Sequence, residues 1–263
     1  MAAHILFVHG MWSTPRVWDA WQPRFQRAGF STEALALPGH DGAAPDSALN
    51  GVGLADYVRA VEQRVAQLAA PPVLVGHSLG GLVTQQVAAR CRLAAAVLVC
   101  SAVPAPVFPQ RPSMLPSLIH HFLPWASWRT AFRLSPREAG YLLFNAVPPD
   151  ERARLVQAMT AESGRVAWEV AYGALNWTRS NRVDRDAIAC PMLALAGGQD
   201  HIIPIGASRR MARWYGPKLE FREHPAHAHW MLDAEAGWQA RADEVCDWLG
   251  RLQAGFSPIP GEF

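Results

Sequence analysis

A chain of 263 residues, 50% hydrophobic and 17% charged, holds enough apolar material to bury a sizeable core and fits one large domain or one domain carrying an insertion. Its net charge of +2, with Lys and Arg scattered along the chain, offers no basic face for nucleic acid. No stretch approaches the roughly 20 apolar residues of a membrane-spanning helix, the first residues carry no leader pattern, and a cytoplasmic location is expected.

Short apolar runs alternate with helical periodicity along most of the chain. Residues 4–8 read as a strand that ends at His9-Gly10. Residues 17–28 carry Val17, Trp18, Trp21 and Phe25 at helical spacing between Pro15 and Gly29, which predicts one helix. A second strand over 32–37 stops at Pro38-Gly39, and 54–68 places Leu54, Tyr57, Val58, Val61, Val65 and Leu68 on one helical face. A third strand, 73–75, runs into Gly76; a helix over 79–90 and a fourth strand over 94–100 follow. From 104 to about 185 the rhythm breaks: prolines and aromatic-rich helical segments appear, with no strand in view. It resumes with a strand at 192–196, a helix at 207–215, a strand at 219–222 and a helix over about 235–252; residues 255–263 read as an irregular tail.

Six apolar strands joined by helices predict an α/β fold, a mostly parallel sheet of about six strands with helices on both faces. The expected division is a core of residues 1–103 and 186–254 interrupted by a helical cap over 104–185. Cys91, Cys100, Cys190 and Cys246 lie far apart, and Cys100 and Cys246 read as small buried hydrophobes rather than parts of a disulfide framework.

Gly76-His77-Ser78-Leu79-Gly80 is a GxSxG, which is weak alone in a chain with 20 glycines. Its context strengthens it, because an apolar strand enters the motif and a helical pattern leaves it. A sharp strand-to-helix turn would lift Ser78 out of the sheet, and bulky side chains two residues to either side would collide. A serine hydroxyl becomes a nucleophile when an oriented base takes its proton. In this strand–helix order the acid and the base should follow on loops after later strands. Asp200 is the first acid after the strand at 192–196. After the last strand come His224, His227 and His229; His229 leads directly into the final helix and is the first choice, with His227 and then His224 behind it. A metal reading of this His-x2-His-x-His cluster lacks a fourth ligand, so neither a metal nor a cofactor is expected. The oxyanion amides are expected from Leu79, just after the nucleophile, and from Met11 in the loop after the first strand, where Gly10 permits close approach. His9, His40 and His77 read as structural.

With these residues in place the chain resembles the α/β-hydrolase superfamily over essentially its whole length, in particular esterase and lysophospholipase-like members with a helical cap. The resemblance rests on His9-Gly10, Gly76-His77-Ser78-Leu79-Gly80-Gly81, Gly198-Gln199-Asp200 and Ala228-His229; members generally have Gly where Ala228 stands. It implies Ser78 as nucleophile, Asp200 as acid and His229 as base, and Ser at 78 argues against the branches that use aspartate there. Caps of this fold roof the active site, so pocket candidates are Trp12, Phe108, Trp125, Trp128, Trp177 and Ile202. The expected function is cleavage of a hydrophobic or aromatic carboxylic ester, a small-molecule substrate. Acyl transfer, C–C cleavage, lyase or cofactor-free oxygenase chemistry, or a non-catalytic receptor of the same fold, are the alternatives.

Overall fold

The structure, a computed structural model, describes residues 3–105, 107, 127–171 and 179–256; Phe108, Trp125, Trp177 and residues 257–263 of the expected tail lie outside them, while Gly255 and Phe256, expected in that tail, belong instead to the last helix. All six expected strands form. They are β1 (His4–Val8), β2 (Ser31–Leu35), β3 (Val73–His77), β4 (Ala95–Val99), β7 (Met192–Gly197) and β8 (Leu219–His224), in one sheet of order β2-β1-β3-β4-β7-β8. Every pairing in it is parallel.

Alternate side chains of these strands enter two apolar layers, as the two-residue period of a strand requires. Leu6, Val8, Leu74, Ala96 and Leu98 pack against α2 (Leu54–Ala66), α3 (Leu79–Ala88) and α7 (Ile205–Tyr215). Ile5, Phe7, Val75, Val97, Val99 and Leu195 pack on the other face with Trp18, Trp21 and Phe25, and with α8 (Trp238–Phe256) through Val245, Trp248 and Leu249. Each fully buried Leu, Ile, Val or Phe contributes roughly 1.5–3 kcal/mol, so these layers are the main source of stability.

Three expectations are corrected. Residues 17–28 do not form one helix: a 3-10 turn (Pro15–Trp18) is followed by α1 (Gln22–Arg27). Pro23 has no N–H for the carbonyl four residues back, so the helix restarts there, with proline in its first turn. The last helix begins at Trp238 rather than near 235, because Gly237 at φ 84 sits just ahead of it in a non-helical conformation. Between β4 and β7, where no strand was expected, β5 (Ala131–Phe132) and β6 (Glu162–Ser163) form an antiparallel pair. Two-residue strands are too short to display a period. Around them lie α4 (Pro136–Leu142), α5 (Pro149–Ala158) and α6 (Gly164–Ala171).

This intervening segment is tied to the sheet side by buried polar groups. Glu162 accepts from Tyr57 Oη at 2.7 Å and lies 3.5 Å from His40 Nε2, all three buried. Glu169 accepts the Leu54 N–H at 2.7 Å. Burial alone would lower the His40 pKa, but the Glu162 carboxylate together with the Pro38 and Ala161 carbonyls offsets it and holds His40 above its usual value. The four cysteines are free thiols. No described helix is long and apolar enough to cross a membrane.

The chain leaves β1 toward one face of the sheet and β3 toward the other, since α1 lies in one apolar layer and α3 in the opposite one. In open α/β sheets a crevice forms at the carboxyl ends of strands where this reversal occurs. The loop after β1 and the turn after β3 therefore meet there.

Candidate active site

Ser78 joins β3 to α3 at φ 53, ψ −118, a conformation that L residues rarely adopt. A Cβ at Gly76 would overlap the Gly80 carbonyl, and one at Gly80 the Val8 and His9 carbonyls. The obstacles are backbone and cannot move aside, which is why both positions are glycine. Gly81 presses in the same way on Ser101. The Ser78 N–H donates to the Val99 carbonyl at 3.0 Å and its own carbonyl accepts from Ala102 at 2.9 Å, tying the turn to the exit of β4. The Ser78 side chain caps no helix amide.

Asp200 and His229 are brought together as expected. His229 Nδ1 lies 2.7 Å from Asp200 Oδ2, with both side chains buried. The other carboxylate oxygen, Oδ1, accepts the N–H groups of Ile202 at 2.9 Å and Ile203 at 2.8 Å, so the acid is held from two sides. His229 Nε2 is buried and meets no hydrogen-bond partner among the described residues, so a direct bond to the Ser78 hydroxyl is not formed in this state. Such bonds are often long in unliganded enzymes and tighten when substrate binds. His77, next to Ser78, bridges the two: its Nε2 donates to the His229 carbonyl at 3.0 Å, and the imidazole centroids are 4.8 Å apart.

The three late histidines separate by partner. His229 takes Asp200, His227 takes Glu235 at 2.8 Å, and His224 lies 3.3 Å from Glu244. Glu235 was not foreseen. Its Oε1 also accepts the Ala228 N–H at 2.7 Å, so one buried carboxylate fixes the turn that carries His229. Burial holds its carboxyl above the usual range. The only trace in the sequence is an acid six residues after His229, in front of the last helix. The turn also packs closely on β7: a Cβ at Gly197 would overlap the Ala228 carbonyl. Glu235→Ala strands a buried N–H and an imidazole, and should cost about 2–4 kcal/mol in urea unfolding. Glu235→Gln keeps an acceptor for Ala228 and should cost less than half as much.

Cys100, at φ 44, offers a thiol within 4.8 Å of the Asp200 and His229 donor atoms, a spacing open to a metal ion. Those two residues are already bonded to each other, and the thiol donates to the Ala228 carbonyl at 3.4 Å. Burial, with the nearby Asp200 charge, pushes the thiol pKa well up, away from the thiolate a metal would need. The set thus fits internal bonding better than a cofactor.

Two amides face no acceptor among the described residues: Met11 N–H in the loop after β1 and Leu79 N–H at the start of α3. They are the pair expected for an oxyanion. A Cβ on Gly10 would stand 3.0 Å from Ser78 Cβ, so the two loops are in contact. Of the pocket candidates, Trp12 is buried edge-on to Phe132 at 5.6 Å, and Ile202 adjoins the acid. Trp128 is 45% exposed, with the Arg129 guanidinium 4.7 Å over its ring.

The buried histidines also set a pH dependence. Burial, then the neighbouring His40, lowers His9 to about 3, and burial, then His229, holds His77 well below its usual 6.5. The fold prefers both neutral, so their contribution is complete above pH 6.5 and is lost as pH falls toward their folded values. Each such group costs about 1.4 kcal/mol per pH unit below 6.5. His40, with its raised value, acts in the opposite sense: its contribution is complete below 6.5 and is lost as pH rises through the folded value. His77→Asn should flatten the fall in unfolding free energy between pH 6.5 and 5 by about 1.4 kcal/mol per unit. Equal slopes in the two proteins would contradict this.

Comparison with known proteins agrees with this architecture. No curated protein matches the sequence. Among solved structures, a monoacylglycerol lipase from Paleococcus ferrophilus superposes with a TM-score of 0.71 at 19% identity, covering 95% of this chain and 94% of that one. A methylesterase from Arabidopsis gives 0.71 at 14% identity, with 97% and 100% covered. A pyrethroid hydrolase from Sphingobium faniae JZ-2 gives 0.69 at 19% identity, with 98% and 99% covered. At these identities the likeness is one of fold. Residues 5–247 match the family described as "Alpha/beta hydrolase family", and the chain belongs to that family.

Proposed function

We propose that this protein is a serine hydrolase that cleaves carboxylic esters through an acyl-Ser78 intermediate. One observation carries the reading: His229 Nδ1 is bonded at 2.7 Å to a carboxylate that two backbone amides hold, while Nε2 is buried without a partner beside the Ser78 turn. A buried imidazole nitrogen left unpaired costs about 1–3 kcal/mol, and a substrate-bound serine hydroxyl would remove that cost. The Nδ1–Asp200 bond keeps the proton on Nδ1, so Nε2 is the basic nitrogen.

In acylation His229 Nε2 takes the Ser78 proton as Oγ bonds to the ester carbon. The Met11 and Leu79 amides stabilise the charge on the carbonyl oxygen. Collapse breaks the bond to the alcohol, which leaves with the proton from His229. Water then attacks the acyl-Ser78 by the same proton route, releasing the acid and restoring the serine.

Residues 104–185 act on this reading as a cap, and the aromatic pair Trp12–Phe132 supports a hydrophobic acyl or aromatic group in the substrate. The location remains the cytoplasm of the expectation above. A fluorophosphonate probe should label wild-type protein at Ser78, located by peptide mass, and p-nitrophenyl esters of longer acyl chains should be cleaved faster than the acetate. Labelling without cleavage of any ester would favour acyl transfer or lyase chemistry. Absence of labelling would leave a non-catalytic receptor.

A further inference from the structure

The Met11 amide is useful as an oxyanion donor only if it points toward the substrate carbonyl, and a loop amide has no reason to hold one direction. In a trans peptide the C=O of one residue and the N–H of the next lie on opposite edges of the same plane. Whatever holds the Gly10 carbonyl therefore aims the Met11 N–H.

The Gly10 carbonyl is held twice. The Ser13 hydroxyl donates to it at 2.8 Å, and His9 Nδ1 lies 2.8 Å from it. The His9 proton is assigned by its other nitrogen: the Leu37 N–H donates to Nε2 at 3.2 Å, so Nε2 carries the lone pair and Nδ1 the proton. His9 is fully buried and Ser13 nearly so, which removes water as a competitor for the carbonyl. The next residue, Trp12, lies at φ 56, and its carbonyl accepts the Thr160 N–H at 3.0 Å. The loop is thus pinned on both sides of Met11, and Met11 N–H itself meets no acceptor among the described residues. Gly10 lies against Ser78, so the peptide that carries this amide borders the nucleophile.

We propose that His9 and Ser13 are positioning residues of the oxyanion hole: by clamping the Gly10 carbonyl they turn the Met11 N–H toward the oxygen of a bound ester. The inference rests on the acyl-Ser78 reading. It assigns work to a histidine that otherwise reads as structural and to a serine that no motif marks. The arrangement separates transition-state from ground-state binding, because a loosened amide would still admit substrate while stabilising the oxyanion less.

Ser13→Ala is expected to lower kcat on a p-nitrophenyl ester about 10- to 100-fold, short of the ~100- to 1,000-fold for complete loss of a donor, with KM within about twofold of wild type. Ser13→Thr, which keeps the hydroxyl, should recover most of the rate. The inhibition constant of a trifluoromethyl ketone, whose hemiketal with Ser78 carries an oxyanion, should rise by the same factor as kcat/KM falls. A merely structural serine would lower the melting temperature without that proportionality. A second measurement needs no variant at the clamp. With 15N-methionine in the wild-type chain, the Met11 amide signal, assigned with Met11→Leu, should move on forming the ketone adduct. An unmoved Met11 signal in a formed adduct, or Ser13→Ala with wild-type kcat, would overturn the clamp alone. Failure of the wild-type chain to form any adduct would remove the acyl-enzyme reading and the clamp with it.

Discussion

Ser78→Ala is expected to lower kcat for ester cleavage by about 10⁴-fold or more while leaving the fold in place. The size follows from losing the atom that forms the intermediate in the proposed mechanism. What remains is whatever the oxyanion amides and the pocket do for direct attack by water. The retained fold follows from the turn. The Ser78 side chain caps no amide of α3, and the turn is held through backbone bonds to Val99 and Ala102, which alanine keeps. Alanine also bears the same Cβ at φ 53, so the conformational cost is unchanged. Unfolding free energy should stay within about 0.5 kcal/mol of wild type. The check pairs steady-state rates with urea unfolding on one preparation. A variant that keeps a tenth of the wild-type rate would mean that Ser78 is not the attacking group, and a collapsed variant would contradict the backbone account of the turn.

The sheet was legible because parallel strands covered on both faces need no polar side, so they stand out as uninterrupted apolar runs between glycine and proline. The same physics hid β5 and β6. Glu162 is buried, but as a partner to Tyr57 and His40, and a buried carboxylate more than 100 positions from its partners leaves no local pattern. The strand-to-helix turn at Ser78 was legible because it demands glycine at 76 and 80, and the loop position of Asp200 because it follows a strand. Three histidines within six residues were separable only in space, where each found its own carboxylate: Asp200, Glu235 or Glu244. Position along the chain ranked His229 first. The buried bond to an acid whose second oxygen is already committed is the physical reason for that rank.

That commitment gives Asp200→Asn a definite consequence. Oδ1 faces two donors, the N–H groups of Ile202 and Ile203, so the asparagine oxygen must take that place. The amide NH2 then turns to His229 Nδ1, where the aspartate had accepted a hydrogen bond. Two donors cannot share one bond, so Nδ1 must give up its proton and become the acceptor. The neutral imidazole then carries its proton on Nε2, the nitrogen that in the proposed mechanism has to receive one from Ser78. Substrate affinity and packing are untouched, and kcat should fall by about 10⁴-fold at neutral pH. The 15N signals of the His229 ring should show the proton moved from Nδ1 to Nε2. Glu235→Gln sets the control: it alters another carboxylate on the same turn, yet leaves the Asp200–His229 bond alone, and should keep kcat within about tenfold. If Asp200→Asn were the milder of the two, the acid of this site would be Glu235, and the base it orients would be His227.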